Sequence, residues 1–105
     1  MPGRVDIAVI GAGLAGLTTA VYASRFGLKT VVLEKMMAGG QVINVEKLEN
    51  FPGFPQGISG AELGPLTQEQ ATRSGAEFQL TEVSGLRLQE PYRLVETTDG
   101  VLEAK

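Results

Sequence analysis

The apolar positions of the first third of the chain change period twice. Residues 5–10 are mostly apolar and β-branched over a short run, which is typical of a strand buried on both faces. From Leu14 the apolar positions recur at helical spacing, and Gly27 is a natural residue to follow the end of that helix. Residues 30–34 return to the buried-strand pattern. The order strand, glycine turn, helix, strand predicts one right-handed βαβ unit.

The middle of the chain loses all periodicity and then regains a helix. Residues 36–60 are rich in glycine and proline, and such a long loop in a compact domain is more often functional than a simple connection. Ser59 and Glu62 have the spacing of a capping box, which predicts a helix to about residue 74, closed by Gly75. Pro65 falls inside that span, so the helix either begins near Pro65 or is kinked in its first turns.

The last thirty residues have the pattern of strands. Residues 76–80 predict a third strand, and the remainder alternates between apolar and polar positions around turn signals at Glu90-Pro91 and Asp99-Gly100. A three-stranded antiparallel meander is therefore expected over roughly residues 84–105. The predicted fold class is α/β: a Rossmann-like βαβ unit with a parallel sheet, plus the antiparallel β-meander.

Composition narrows the chemistry. The 105 residues are 43% hydrophobic with a formal net charge of -3, which is typical of one small globular domain. Nine scattered basic residues form no surface for nucleic acid, and no apolar run is long enough for a membrane span, so a cytoplasmic protein is the expectation. Cysteine and histidine are absent, which excludes thiol redox chemistry, Cys/His zinc sites and a Ser-His-Asp triad within this chain. No metal site is expected.

One motif carries a specific chemistry. Gly11, Gly13 and Gly16 have G-x-G-x-x-G spacing directly between a strand pattern and a helix pattern, and Glu34 ends the next strand at close to the expected distance of ~20 residues. Gly11 would permit the tight turn, Gly13 the approach of a pyrophosphate to the backbone, and Gly16 close packing of helix and sheet. The amides of the first helical turn would hold the phosphates. Glu34 would accept the ribose hydroxyls and repel a 2′-phosphate, which disfavours NADP in this site.

Simpler interpretations of the same residues remain open. The glycines can make nothing more than a well-packed strand-to-helix turn, and Glu34 can be a solvated carboxylate at the end of a strand. From these residues alone the pattern predicts a dinucleotide and does not say which one.

The second loop brings in a family resemblance. Residues 39–41 (Gly-Gly-Gln) and 49–53 (Glu-Asn-Phe-Pro-Gly) resemble the thioredoxin reductase family of flavoproteins, a group that includes the flavoprotein of alkyl hydroperoxide reductase and the ferredoxin–NADP reductases of similar fold. The glycine turn, residues 20–23, residues 59–63 and residues 75–77 match as well, so the resemblance covers essentially the whole chain.

The resemblance implies FAD as the ligand and assigns roles to ten positions. The pyrophosphate would be lined by Gly11, Gly13, Leu14 and Ala15, the adenosine ribose would be flanked by Glu34 and Lys35, the ribityl chain and flavin by Gly40 and Gln41, the isoalloxazine ring by Asn50, and the adenine edge by the main chain at Val83. Besides Glu34 and the glycines, three more of these residues have an ordinary alternative. Asn50 can be a turn residue that bonds its own backbone, Gln41 a polar loop residue, and Val83 plain strand packing.

By the same resemblance the parent protein is an NADPH-dependent oxidoreductase that passes electrons through FAD to a dithiol, with a thioredoxin-like or ferredoxin partner. Residues 1–105 are then expected to be the N-terminal part of its FAD-binding domain, without the closing strand, the NADPH domain or the C-terminal FAD segment. The isolated chain is expected to contain no catalytic residue, to lack reductase activity and to bind FAD weakly or not at all. A homodimer is a further expectation. The alternatives are a ferredoxin–NADP reductase-like fragment and a non-catalytic module that binds a dinucleotide or self-associates.

Overall fold

The computed structural model describes residues 3–36 and 44–105. Within these residues the chain forms two sheets and two helices. The elements are β1 (Arg4–Val5), β2 (Ile7–Ile10), α1 (Leu14–Arg25), β3 (Thr30–Glu34), α2 (Gly60–Ser74), β4 (Glu77–Leu80), β5 (Val83–Gln89), β6 (Tyr92–Thr97) and β7 (Gly100–Ala104).

The first sheet is the parallel sheet that the periodicity predicts. Its strand order is β2-β3-β4, and both pairings are parallel. The helix α1 connects β2 to β3 and ends one residue before Phe26, after which Gly27 adopts a left-handed φ of 84°. The βαβ unit, its third strand and the stop at Gly27 are confirmed.

The predicted strand over residues 5–10 is two strands in different sheets. β1 pairs in parallel with β7, whereas β2 pairs with β3, and the chain changes sheet at Asp6. The Asp6 carboxylate accepts a hydrogen bond from the backbone N–H of Lys29 at 2.8 Å, which fixes the break. The prediction of burial on both faces is wrong for this segment, because Ile7 and Ala8 are only partly buried and Ile10 is 50% exposed.

The second sheet contains the predicted meander. β5, β6 and β7 pair antiparallel in sequence order, and β1 completes a four-stranded sheet with the order β1-β7-β6-β5. Gly100 takes a φ of 127° at the β6–β7 turn, where other residues would be strained. The fold class is therefore confirmed.

Helix α2 begins where the capping signal places it. Ser59 is the N-cap, its hydroxyl accepts the Glu62 N–H at 3.2 Å and lies 2.9 Å from the Glu62 carboxylate, to which it can donate, and Gly75 ends the helix at a φ of 114°. Because the cap fixes the start at Gly60, Pro65 lies inside the helix and not at its start.

We expect Ser59→Ala to lower the free energy of unfolding by about 1 kcal/mol, because the Glu62 N–H loses its acceptor at the helix start. Urea denaturation followed by circular dichroism would measure the change. Ser59→Thr keeps the hydroxyl and is the control. Equal midpoints for Ser59→Ala and the unsubstituted 105-residue chain, called the parent chain below, would contradict the capping role.

The core lies on both faces of β3. Val32 packs towards the helices in a cluster with Leu17, whereas Val31 and Leu33 pack towards the meander in a cluster with Leu102. The central strand is thus buried on both faces, as its sequence predicts.

Neither helix in the described ranges is long and apolar enough to cross a bilayer.

Candidate functional site

The carboxyl ends of the three parallel strands meet at one hollow of about 300 Å³. In an open parallel sheet this edge is where ligands bind, since loops and helix N-termini converge there. The lining residues are Ile10, Gly11, Leu33, Glu34, Lys35, Met36, Thr81, Glu82 and Val83. The hollow therefore joins the glycine turn, the acidic end of β3 and the start of the meander.

The glycine turn has the geometry that its motif requires. Gly11 adopts a φ of 99°, and its N–H donates to the Leu33 carbonyl at 2.8 Å. A Cβ at Gly16 would overlap the carbonyl oxygen of Gly11 and lie 3.1 Å from a methyl of Val9, so only glycine lets the helix approach this closely. A Cβ at Gly13 would meet nothing within 4 Å. The space in front of Gly13 is open, as the approach of a phosphate would need.

The N-terminus of α1 is not capped by a side chain in the described part of the chain. Gly13 is the N-cap residue in extended conformation, without a side-chain hydrogen bond, and the first turn contains no acidic residue. Leu14 and Ala15 are the first two residues of the helix. Their N–H groups and the positive end of the helix dipole together suit an anion.

Glu34 points at the glycine turn. Its Oε1 accepts the Ala12 N–H at 2.8 Å, and its Oε2 accepts the Met36 N–H at 2.8 Å. Burial raises the pKa of Glu34, but hydrogen bonds from the backbone of Ala12, Met36 and Lys35, together with the charge of Lys35, outweigh burial and hold the pKa below its ordinary value. The carboxylate is thus ionised at neutral pH.

The far wall of the hollow comes from the segment between β4 and β5. Thr81 is buried, and its N–H donates to the Glu34 carbonyl at 2.9 Å. Val83 is half-buried at the start of β5 and lines the hollow, as does the exposed Glu82. Thr81 and Glu82 are not predicted as site residues from the sequence, although their position directly after a parallel strand is a signal for this edge of the sheet.

The predicted site residues do not all meet here. Gly11, Glu34, Lys35 and Val83 line one hollow, and Gly13 lies at the adjoining helix start. Asn50 is exposed in a separate hollow formed by residues 49–55. Its role near a flavin ring stays a prediction. The roles predicted for Gly40 and Gln41 fall outside the described residues.

The described ranges contain no group of three or more histidine, cysteine, aspartate or glutamate residues placed to hold a metal ion. The site instead offers backbone amides and one positioned carboxylate.

The chain is similar to known proteins in sequence and in structure. The pyridine nucleotide-disulphide oxidoreductase family model matches residues 5–104. A 34.2 kDa protein of the rubredoxin operon of Clostridium pasteurianum is 40% identical over 103 residues, which are 97% of this chain and 33% of that protein. Thioredoxin reductase of Mycolicibacterium smegmatis is 38% identical over 100 residues, which are 95% of this chain and 32% of that protein. The crystal structure of thioredoxin reductase from Streptococcus pyogenes superimposes with a TM-score of 0.94 at 34% identity. The superposition covers 100% of this chain and 34% of that protein.

The chain spans about one third of the length of these relatives. The match extends over the glycine turn, Glu34 and the meander alike, because the family model covers residues 5–104. The chain therefore belongs to the pyridine nucleotide-disulphide oxidoreductase family, and its fold is that of thioredoxin reductases over the part that it spans.

Proposed function

We propose that this chain binds the adenosine diphosphate half of FAD at the carboxyl ends of its parallel strands. The observation that carries the proposal is a hollow lined by Gly11 of the glycine turn and by the ionised Glu34, next to the start of α1, which has no side-chain cap. The pyrophosphate would accept hydrogen bonds from the amides around Gly13 and Leu14. The ribose hydroxyls would donate to Glu34, and the adenine would lie against Val83.

Electrostatics favours FAD over NADP in this hollow. Two carboxylates, Glu34 and Glu82, line it, with Lys35 as the basic residue in its lining. A 2′-phosphate on the ribose would add negative charge next to Glu34 and would be repelled. The flavin itself would extend towards residues 40, 41 and 50, as the family resemblance implies.

In a whole protein of this type we propose that the chain positions FAD in an NADPH-dependent oxidoreductase acting on a dithiol of a thioredoxin-like partner. Bound FAD supplies the redox chemistry, while residues 1–105 bind and orient it as the N-terminal part of the FAD-binding domain. A ferredoxin–NADP reductase-like protein is the alternative within the class, since that chemistry needs no cysteine and the chain has none.

A fluorescence titration tests the proposal. Adding the 105-residue chain to FAD is expected to change flavin fluorescence with a Kd weaker than about 1 µM, and ADP is expected to compete. No NADPH-dependent reduction of a dithiol acceptor is expected from this chain, which has no redox-active sulfur. Failure of ADP to compete would contradict the placement of the adenosine half, and measurable turnover would contradict the purely binding role.

A second candidate function, self-association, is favoured by a larger cleft. A space of about 610 Å³ lies beside β2 and under the meander, where Ile7, Ala8 and Ile10 face Leu86 and Leu88. Among the described strands β2 is an edge strand, and both leucines are 63% exposed. An apolar edge strand is a site for pairing with another chain, so a homodimer through this edge would cover it.

We expect the double variant Leu86→Lys/Leu88→Lys to reduce self-association of the chain at high concentration, because it removes two exposed apolar side chains and adds two positive charges to a cleft that Arg87, Arg93 and Lys105 already line. Sedimentation velocity over a concentration series would measure the change. Val101→Lys is the matched control, since Val101 is 51% exposed and lies on the opposite face of the same sheet from the buried Leu102. Equal association of the double variant and Val101→Lys would contradict the β2 edge as the interface.

A further inference from the structure

The side chain of Glu34 is engaged by the protein itself. Oε1 accepts the N–H of Ala12, which lies between the first two glycines of the motif, and Oε2 accepts the N–H of Met36; both bonds are 2.8 Å long. The two oxygens of one carboxylate thus join two segments that are distant along the chain. A carboxylate whose only task is to accept ribose hydroxyls needs neither contact.

The backbone around Glu34 adds two more bonds to the same junction. The Leu33 carbonyl accepts the Gly11 N–H at 2.8 Å, and the Glu34 carbonyl accepts the Thr81 N–H at 2.9 Å. The end of β3 is therefore bonded to the glycine turn on one side and to the end of β4 on the other. Of these four bonds, only two depend on the identity of the side chain at position 34.

We propose that Glu34 is a positioning residue for the glycine turn: its carboxylate holds the Ala12 N–H and so aims the amides at the start of α1 at a pyrophosphate. This role rests on the proposed function and deepens it, because Glu34 would act on the phosphates through the backbone as well as on the ribose directly. The nucleotide class recognised is the same, a non-phosphorylated adenosine ribose joined to a pyrophosphate.

The chemistry of the carboxylate suits both tasks at once. An ionised carboxylate is an acceptor only, with about four lone-pair positions, so the two backbone bonds leave capacity for two ribose hydroxyls. Glutamine at this position would keep one acceptor oxygen but would turn an NH2 group towards the N–H of Ala12 or of Met36. Two donors would then oppose each other, and one backbone bond would be lost. Even with its oxygen turned towards Ala12, the neutral amide accepts a weaker hydrogen bond than a carboxylate, so Glu34→Gln weakens the hold on the turn although it preserves the size of the side chain.

Inorganic pyrophosphate separates the positioning role from a ribose contact, because it has no ribose. If Glu34 only accepts ribose hydroxyls, Glu34→Gln removes a negative charge near the anion and leaves pyrophosphate binding equal or stronger. If Glu34 aims the amides, Glu34→Gln weakens pyrophosphate binding despite that loss of charge. The two roles thus predict opposite signs.

The experiment is a titration of the 105-residue chain with pyrophosphate, followed by backbone amide shifts in NMR spectra. Glu34→Gln is expected to weaken binding by about threefold to tenfold, which is the range of 0.7–1.4 kcal/mol for one lost hydrogen bond. Glu77→Gln is the matched control, because Glu77 is exposed at the end of β4 that lies away from the hollow and its substitution removes the same charge. It is expected to leave binding unchanged or slightly stronger. Equal or tighter binding by Glu34→Gln would overturn the proposal.

A second measurement tests the proposal without the Glu34→Gln variant, in case that variant does not fold. In the parent chain without nucleotide, the Ala12 amide shift is expected to titrate with the Glu34 carboxylate below its ordinary pKa, with Lys35 and Glu82 as the other charged groups lining the hollow. An Ala12 amide shift that stays constant while the side-chain carboxyl shift of Glu34 titrates would overturn the positioning role. If the parent chain binds neither ADP nor pyrophosphate, the proposed function is contradicted instead. The Ala12 titration would still show whether the hydrogen bond between Glu34 and Ala12 forms.

Discussion

Replacing Gly16 by alanine is expected to lower the free energy of unfolding by about 1–3 kcal/mol. The added Cβ would overlap the carbonyl oxygen of Gly11 and press on a methyl of Val9, and neither is the free end of a flexible side chain. Relief requires α1 to move away from the turn, which opens the cluster that contains Leu17 and Val32. The higher helix propensity of alanine offsets about 1 kcal/mol of the larger strain. Chemical denaturation with a common m-value would measure the difference.

Gly3→Ala is the matched control for this substitution. A Cβ at Gly3 would meet nothing within 4 Å, and its φ is not left-handed, so alanine fits there without strain. We expect Gly3→Ala to leave the free energy of unfolding unchanged or to raise it by up to about 1 kcal/mol, because alanine restricts the unfolded chain. If Gly16→Ala is as stable as the parent chain, the close approach of α1 to the turn is wrong.

The elements that the sequence predicts correctly are those whose signals are local. The stop of α1 at Gly27, the cap of α2 at Ser59 and the turn at Gly100 each depend on the conformation of one or two residues. The buried strand at residues 30–34 is recognisable from its sequence because β3 is central and has apolar residues on both faces. Such features need no knowledge of distant parts of the chain.

The division of residues 4–10 between two sheets was not predictable in the same way. It depends on β7, which lies at the other end of the chain and pairs with Arg4 and Val5. The bond from Lys29 to Asp6 that fixes the break is also non-local. An apolar run with one aspartate is compatible with a single strand, so only the tertiary pairing distinguishes the two outcomes.

The candidate site shows the same contrast. The spacing of the glycine motif and of Glu34 predicts that Gly11, Gly13 and Glu34 belong to one site. The structure places Gly11 and Glu34 in one hollow, with Gly13 at the adjoining helix start. The bond between Glu34 and the Ala12 N–H was not predicted, because an alanine backbone carries no sequence signal. Thr81 and Glu82 reach the hollow through the register of β4 against β3, which a sequence pattern does not specify.

Replacing Gly13 by aspartate is expected to separate stability from binding. Gly13 is the N-cap of α1 at a φ of -71° and a ψ of 176°, a conformation open to any residue, and a side chain there would enter open space. Aspartate is a favoured N-cap whose carboxylate accepts a first-turn N–H, so the free energy of unfolding is expected to rise by a few tenths of a kcal/mol or to stay equal. The same carboxylate would occupy and repel the position proposed for the pyrophosphate. Affinity for FAD and ADP is therefore expected to fall at least about tenfold, measured by fluorescence titration and competition.

Gly13→Asn separates the capping effect from the charge. Asparagine caps the same amides with a neutral oxygen of similar size, so it is expected to weaken binding less than aspartate while keeping the stability of the helix start. The added charge in Gly13→Asp should also make the loss of affinity smaller at high salt, whereas the loss in Gly13→Asn should not depend on salt. Unchanged ADP affinity in both variants would mean that the start of α1 does not bind the phosphates, since each variant fills the amides that the nucleotide needs.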